Sequence, residues 1–162
     1  MEDIMIAENV RKFLDENGVK YLTIAHSPAY TANDIAHVAH VSGKELAKTV
    51  IVDSDGKLVM VVLPASKRLS IAKAKTAVGG ENVRLAAEFE FGRRFPGCEV
   101  GAMPPFGNLY GIDVFIDPSL KADEEIVFNA GTHTELIRMR FDDFERLVHP
   151  NVAPIATGEA VA

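Results

Sequence analysis

At 162 residues the chain has the length of one domain, and its 48% apolar content is enough to bury a core without disulfide or metal staples. A net charge of −6 excludes a protein that coats nucleic acid non-specifically, and the single cysteine, Cys98, excludes an internal disulfide or a thiolate-held zinc and fits a reducing compartment. No apolar run approaches the roughly 18 residues of a membrane span, and no basic-then-apolar leader opens the chain, so no membrane contact and a cytoplasmic location are expected.

Ile6, Val10, Phe13 and Leu14 recur at helical spacing before Asn17 and Gly18, which predicts a first helix over residues 2–16. Residues 21–24 read as a short strand. Thr31 followed by Asp34 resembles a capping box, so a second helix is expected to run to about Ser42 and Gly43. Asp55-Gly56 between the β-rich runs 50–53 and 58–63 predicts a hairpin of central strands. Ser70 can cap a helix that Gly79 and Gly80 end, and a shorter helix is expected over residues 86–91.

Beyond a glycine-proline loop, residues 111–116, 125–129 and 135–140 read as three strands, and Asp142 with Glu145 as the start of a last helix that Pro150 stops. There is no βαβα alternation and no internal repeat. The fold class is therefore α+β, a mixed sheet with helices around it, over residues 1–150, with 151–162 as a loose tail. Against the acidic background, Lys67, Arg68, Lys73, Lys75 and Arg84, followed by Arg93 and Arg94, form a basic run that can steer a polyanion or simply line a solvated face.

Three places can carry chemistry. Lys48 stands at the mouth of an apolar strand, where its ammonium either snorkels to solvent or meets a phosphate or carbonyl oxygen in a cleft. Gly101 and Gly107 bracket Pro104 and Pro105, a stiff loop that lets main chain approach a ligand, or else an ordinary turn. Gly131, Thr132, His133 and Thr134 join two strands and bring one imidazole, which serves as a proton-transfer group or as a simple hydrogen-bonding residue. His26 has the same two readings. His37 and His40 have no Glu or Cys at zinc-ligand spacing, so no metal site is expected. No Gly-x-Ser-x-Gly elbow, Walker loop or dinucleotide fingerprint occurs, which disfavours serine catalysis and ATP use.

The order of these pieces resembles the YbaK/EbsC family, free-standing relatives of the editing domain of bacterial prolyl-tRNA synthetases. The resemblance runs from about Tyr21 to Val148 and is carried by His26 with Tyr30, Thr31 and Ala32; Ala47-Lys48-Thr49; strands ending in Leu63-Pro64; Gly101 with Pro105, Phe106 and Gly107; Asp117; and Asn129-Ala130-Gly131. It implies a compact, mixed, partly closed sheet and an aminoacyl-tRNA deacylase that needs neither metal nor cofactor. It also implies the acceptor end of a mischarged tRNA as partner, with a synthetase as a further one.

By the same resemblance Lys48, Gly101 and Pro105 form the catalytic set. His26, Tyr30, Thr31, Phe106, Gly107, Gly131, Thr132 and His133 bind substrate. Cysteine-clearing members of the family tend to carry arginine or other residues where this chain has Thr132-His133-Thr134, and alanine-clearing ones use a nearby histidine, so a cysteine specificity does not transfer. Two other functions share these residues: a non-catalytic module that binds the tRNA end, and a small-molecule ester or thioester hydrolase.

Overall fold

In the computed structural model, residues 8–27, 29, 32–95, 98, 99 and 101–158 are described. Helix α1 (Glu8–Glu16) turns Val10 and Leu14 inward, as the helical spacing predicts; residues 2–7 of the expected helix lie outside the described residues. Strand β1 (Tyr21–Ala25) follows, then α2 (Ala32–Ala39). Helix α2 ends earlier than expected because His40 takes a left-handed φ of 56° and closes the turn that Gly43 was expected to close.

Strands β2 (Leu46–Ser54) and β3 (Lys57–Pro64) form the predicted hairpin, both longer than the apolar runs. Asp55 and Gly56 have φ of 52° and 88°, the left-handed pair that an Asp-Gly hairpin turn requires. After β4 (Arg68–Leu69), α3 (Ile71–Val78) is capped as predicted: Ser70 Oγ accepts the Lys73 N–H, and Gly79 at φ 75° ends the helix. Strand β5 (Val83–Leu85) was not foreseen; the Ala86 N–H bonds the Ile51 carbonyl and Ala87 is extended, so the next helix starts later than expected, as α4 (Glu88–Phe91).

Strands β6 (Asp113–Ile116), β7 (Glu125–Asn129) and β8 (Glu135–Arg140) follow, then α5 (Phe141–Val148). The N-cap of α5 is Arg140, without a side-chain cap bond, and not Asp142; buried Phe141 and Phe144 anchor this helix, while Asp142 lies in its first turn.

The strands, with a short β9 (Asn151–Val152) at one edge, build the expected mixed sheet, ordered β1-β8-β7-β2-β3-β6-β9, with β5 also on β2. Period-two alternation divides its side chains between two faces. Ala47, Ile51, Met60, Val62, Val114, Ile116, Ile126, Phe128, Ile137 and Met139 face the main core, with Val10, Leu14, Phe106 and Phe144 packed among them. The opposite face carries two separate clusters. Leu46, Val127 and Leu136 pack with Ile35 of α2, and Val52, Val59, Val61 and Leu63 pack with Ile155 and Ala156.

The stretch read as a loose tail is therefore part of the fold up to Gly158: β9 (Asn151–Val152) extends the sheet beside β6, and β10 (Ala156–Thr157) pairs with β4. Its anchor is buried Asp117. One carboxylate oxygen accepts the N–H groups of Ile155 (3.0 Å) and Ala156 (2.9 Å), and the other accepts from the Ser119 N–H and hydroxyl. Burial pushes this carboxyl up, but the combined hydrogen bonds outweigh it and hold it below its ordinary value.

Asp117 thus stabilises the fold fully above the unfolded carboxyl range, a contribution lost as pH falls through the depressed folded value. In Asp117→Ala the two amides lose their acceptor. A loss of about 3 kcal/mol is expected, read as early melting and rapid amide exchange over residues 151–157 while β2 and β3 stay protected. Unchanged exchange there would contradict this anchor.

Candidate functional site

Strand β2 has a gap along the edge facing β7 and β5. Strand β7 pairs only with Leu46 and Ala47, β5 only with Val52, Asp53 and Ser54, and the Ala86 N–H reaches the Ile51 carbonyl at 3.0 Å. Residues 48–50 are bordered there by neither strand. Lys48 lies in this gap, on the face of Leu46 and Leu63, between the two apolar clusters. It is half-buried, and burial lowers its ammonium pKa; among the described residues it forms no ion pair. A charged group held away from water without a carboxylate is poised to receive an anionic or carbonyl oxygen.

Asn129, one step beyond the last β2–β7 rung, shares that face with Lys48, and its Oδ1 is buried with no hydrogen-bond partner. Beyond it β7 turns into a loop containing Gly131, Thr132 and His133, all buried. Gly131 has φ 100°, a conformation that suits glycine, and its N–H and C=O pair with the Ala102 carbonyl (3.0 Å) and the Glu99 N–H (2.7 Å). The Glu99 carboxylate accepts the His133 N–H at 2.6 Å. Gly101, exposed at φ 88°, lies against the imidazole: a Cβ built there would stand 3.4 Å from His133 Cε1.

On the far side of the loop, the N–H groups of His26 and Ala29 reach the carbonyls of Thr134 (2.9 Å) and His133 (3.3 Å). His26 Nδ1 also lies 2.7 Å from the Ser27 carbonyl. Thr132 Oγ1 lies 3.3 Å from Thr134 Oγ1 and accepts the Thr134 N–H at 3.3 Å, so these hydroxyls brace the turn.

Gly101, Gly131, Thr132, His133 and the His26 backbone therefore converge at the end of β7 that borders Lys48. Tyr30 and Thr31 lie outside the described residues. Pro105, Phe106 and Gly107 take another course. All three are buried, Phe106 fully, with its ring 5.5 Å from Phe128 and Phe144. An aromatic ring gains more by entering the core than by lining a polar cleft, so the Phe106 side chain packs in the core, and Gly107 sits tightly against Ile112 and Val114.

Sequence reasoning missed Glu99, whose role is visible only once the two loops are zipped together. Asn129 was part of the motif but carried no assigned role. Cys98 is half-buried, with Sγ 3.4 Å from the Tyr110 hydroxyl; burial raises its thiol pKa, which disfavours a thiolate nucleophile. No described helix is long and apolar enough to cross a membrane.

A family model described as an aminoacyl-tRNA editing domain matches residues 26–147. The chain is 23% identical over 144 residues to the "Multifunctional Ser/Thr-tRNA deacylase ProXp-y" of Escherichia coli (strain K12), covering 86% of each chain. It is 30% identical over 123 residues to the "Proline--tRNA ligase" of an Anaeromyxobacter species (strain Fw109-5), covering 74% of this chain and 21% of that one. A solved structure described as a candidate trans-editing enzyme for prolyl tRNA synthetase shares the fold, with a TM-score of 0.78 and 24% identity over 94% of this chain and 97% of that chain.

Proposed function

The chain belongs to the aminoacyl-tRNA editing domain family, and from that membership we propose that it is a free-standing deacylase hydrolysing the ester between a wrongly attached amino acid and the terminal adenosine of a tRNA. The observation that carries the reading is Lys48: a half-buried cation without an ion pair among the described residues, set in a gap of the sheet beside two interlocked glycine loops. An ester is already activated, so hydrolysis asks for positioning and for dipoles aimed at the developing oxyanion, without a nucleophilic side chain.

In this reading Lys48 holds the terminal nucleotide through its charge, and Gly101 lets the loop backbone approach the ester. Water attacks the carbonyl carbon, the carbonyl electrons move onto oxygen, and collapse of the tetrahedral intermediate expels the ribose oxygen, which takes up a proton. His133, held by Glu99 through its backbone, reads the amino-acid side chain. Pro105 contributes by stiffening the loop from inside. The substrate class supports a cytoplasmic location, and the similarity to a segment of a proline–tRNA ligase supports a synthetase as the source of mischarged tRNA.

A deacylation screen over mischarged tRNAs tests this. Hydrolysis well above the spontaneous rate is expected for a subset of small amino acids. His133→Ala is expected to reorder alanyl, cysteinyl, seryl and threonyl esters by about 5- to 150-fold, the range set by pocket contacts worth about 1–3 kcal/mol, without abolishing turnover. Equal rates on free amino-acid esters would instead identify a small-molecule esterase.

A further inference from the structure

We propose that Lys44 and Lys67 form a phosphate pocket for the backbone of the unpaired RNA strand that leads into the Lys48 site, with Arg68 beside it; this rests on the deacylase reading above.

The stretch between Lys57 and Glu81 holds Lys67, Arg68, Lys73 and Lys75 and no acid. Half of this basic run is engaged elsewhere: Lys73 Nζ donates to the Ala156 carbonyl at 2.9 Å, and the Lys75 charge acts on the Asp55 carboxylate. Lys67 and Arg68 form no ion pair among the described residues, and neither does Lys44, exposed on the loop before β2.

Hydrogen bonds hold Lys44 and Lys67 on facing segments. The Gly43 carbonyl accepts the Ser66 N–H at 3.0 Å, the Leu46 carbonyl accepts the Ala65 N–H at 2.7 Å, and the Lys67 N–H closes a turn on the Pro64 carbonyl at 3.0 Å. Each lysine is the residue after one member of the Gly43–Ser66 pair, and a Cβ on Gly43 would stand only 3.3 Å from Ser66 Cβ. Between these segments and Ser119, Ala122 and Asp123 lies a cavity of about 170 Å³. Pockets that enclose a whole small molecule start at roughly 300 Å³, so this one suits a phosphate group and not a nucleoside. Two ammonium groups against the single Asp123 carboxylate leave an excess of one positive charge, the complement of one phosphodiester.

The pocket lies at the Lys48 end of the sheet. Pro64, in its wall, follows Leu63, the residue opposite Lys48 on β3, and Lys44 precedes Lys48 by four residues, at most about 13 Å of extended chain. From Pro64 the chain crosses the side of the sheet on which Lys48 lies: Ala65 joins the cluster of Leu46, and Leu69 that of Leu63, the two clusters that flank Lys48. A strand ending at Lys48 thus has the pocket within reach of the phosphates before its end. Lysine meets phosphate as a point charge, so the pocket adds affinity and position without reading sequence.

The test uses the full chain and a 5′-fluorescein acceptor-stem microhelix with an unacylated, single-stranded CCA end, read by anisotropy over a series of salt concentrations, alongside steady-state deacylation of the aminoacylated RNA. The double variant Lys44→Ala, Lys67→Ala is expected to bind about tenfold more weakly at low salt, with KM raised by the same factor at unchanged kcat. Its slope of log affinity against log salt should fall by about 1.4, roughly 0.7 for each contact to a single strand. Lys44→Arg with Lys67→Arg should restore both. Asp123→Asn, which removes the opposing carboxylate, should tighten binding about threefold, the size of an exposed charge effect. A neutral methylphosphonate at one of the CCA linkages should weaken wild-type binding and leave the double variant unmoved. Neither lysine belongs to a core cluster, so the double variant should melt with the wild type.

Wild-type affinity and KM in the double variant would overturn the pocket. So would a loss of affinity at an unchanged salt slope, which would mark a structural defect. Inorganic phosphate or AMP held by the wild type and lost from the double variant, with RNA binding the same in both, would assign the pocket to a free phosphate compound and overturn the RNA contact. If the wild-type protein hydrolyses none of the mischarged tRNAs, the deacylase reading itself falls and the RNA contact with it; if wild type is active and the double variant matches it in KM and salt slope, only the pocket falls.

Discussion

Replacing Lys48 by alanine is expected to lower ester hydrolysis by about one to two orders of magnitude and leave the melting temperature nearly unchanged. A charged contact to an oxygen is worth about 1.5–3 kcal/mol, which sets the size of the loss. The fold is spared because Lys48 makes no ion pair among the described residues and spends desolvation energy by sitting half-buried, so the native state loses little with it. Lys48→Met keeps most of the stem's packing and should be as inactive as Lys48→Ala, which isolates charge as the operative property.

The pH dependence follows from the same burial. Since the ammonium pKa is lowered, wild-type catalysis relative to spontaneous hydrolysis should decline at a lower pH than an ordinary lysine would give, a limb absent from Lys48→Ala. Native stability moves the other way. The unfolded chain holds this proton more tightly, so stability rises with pH through that window. A folded Lys48→Ala protein with wild-type turnover would remove Lys48 from the site.

Gly107→Ala is expected to destabilise the fold about as much as Asp117→Ala, by overpacking instead of by stranded amides. A Cβ at this position would stand 2.6 Å from the Ile112 carbonyl oxygen and 2.7 Å from Val114 Cγ2, and the first of these belongs to backbone that is itself bonded to Gly107: the Ile112 N–H donates to the Gly107 carbonyl at 2.9 Å. Neither neighbour can yield without moving the start of β6. An overpacking cost of about 3 kcal/mol follows, or roughly 10 °C in melting temperature for a domain of this size. Gly111→Ala, at φ 69° but with open space around it, should cost only its backbone strain. A melting temperature for Gly107→Ala within a degree or two of wild type would contradict the packing described.

Local rules made much of the fold legible. Asp55-Gly56, the Ser70 cap and the Gly79 stop each act within four residues, and each element they define forms where expected. Strand β5 escaped because three residues, Val83, Arg84 and Leu85, give no periodicity to read; their place is set by the open end of β2. Asn151 to Gly158 read as a tail because what holds Ile155 and Ala156 is a carboxylate 38 and 39 positions earlier.

For the site, the glycine loops and Lys48 were visible as residue types. That Gly101 meets His133 while Phe106, five residues further, enters the core depends on which side of the loop faces the sheet. Chain proximity carries no such information. Nor does it reveal Glu99, an exposed acid whose carboxylate is engaged by a backbone amide 34 residues away.

Only two rungs, Leu46 with Val127 and Ala47 with Phe128, join the β2–β3 hairpin to the β7–β8 hairpin. Each hairpin closes over a short stretch of chain and can form early; the seam between them spans some 80 residues and must wait for both. Lys48 and Asn129 stand one step past that seam on different hairpins. A chain that has completed both hairpins but not the two rungs therefore has nearly all of its strands and no site, and recovery of activity during refolding should lag behind recovery of β-structure.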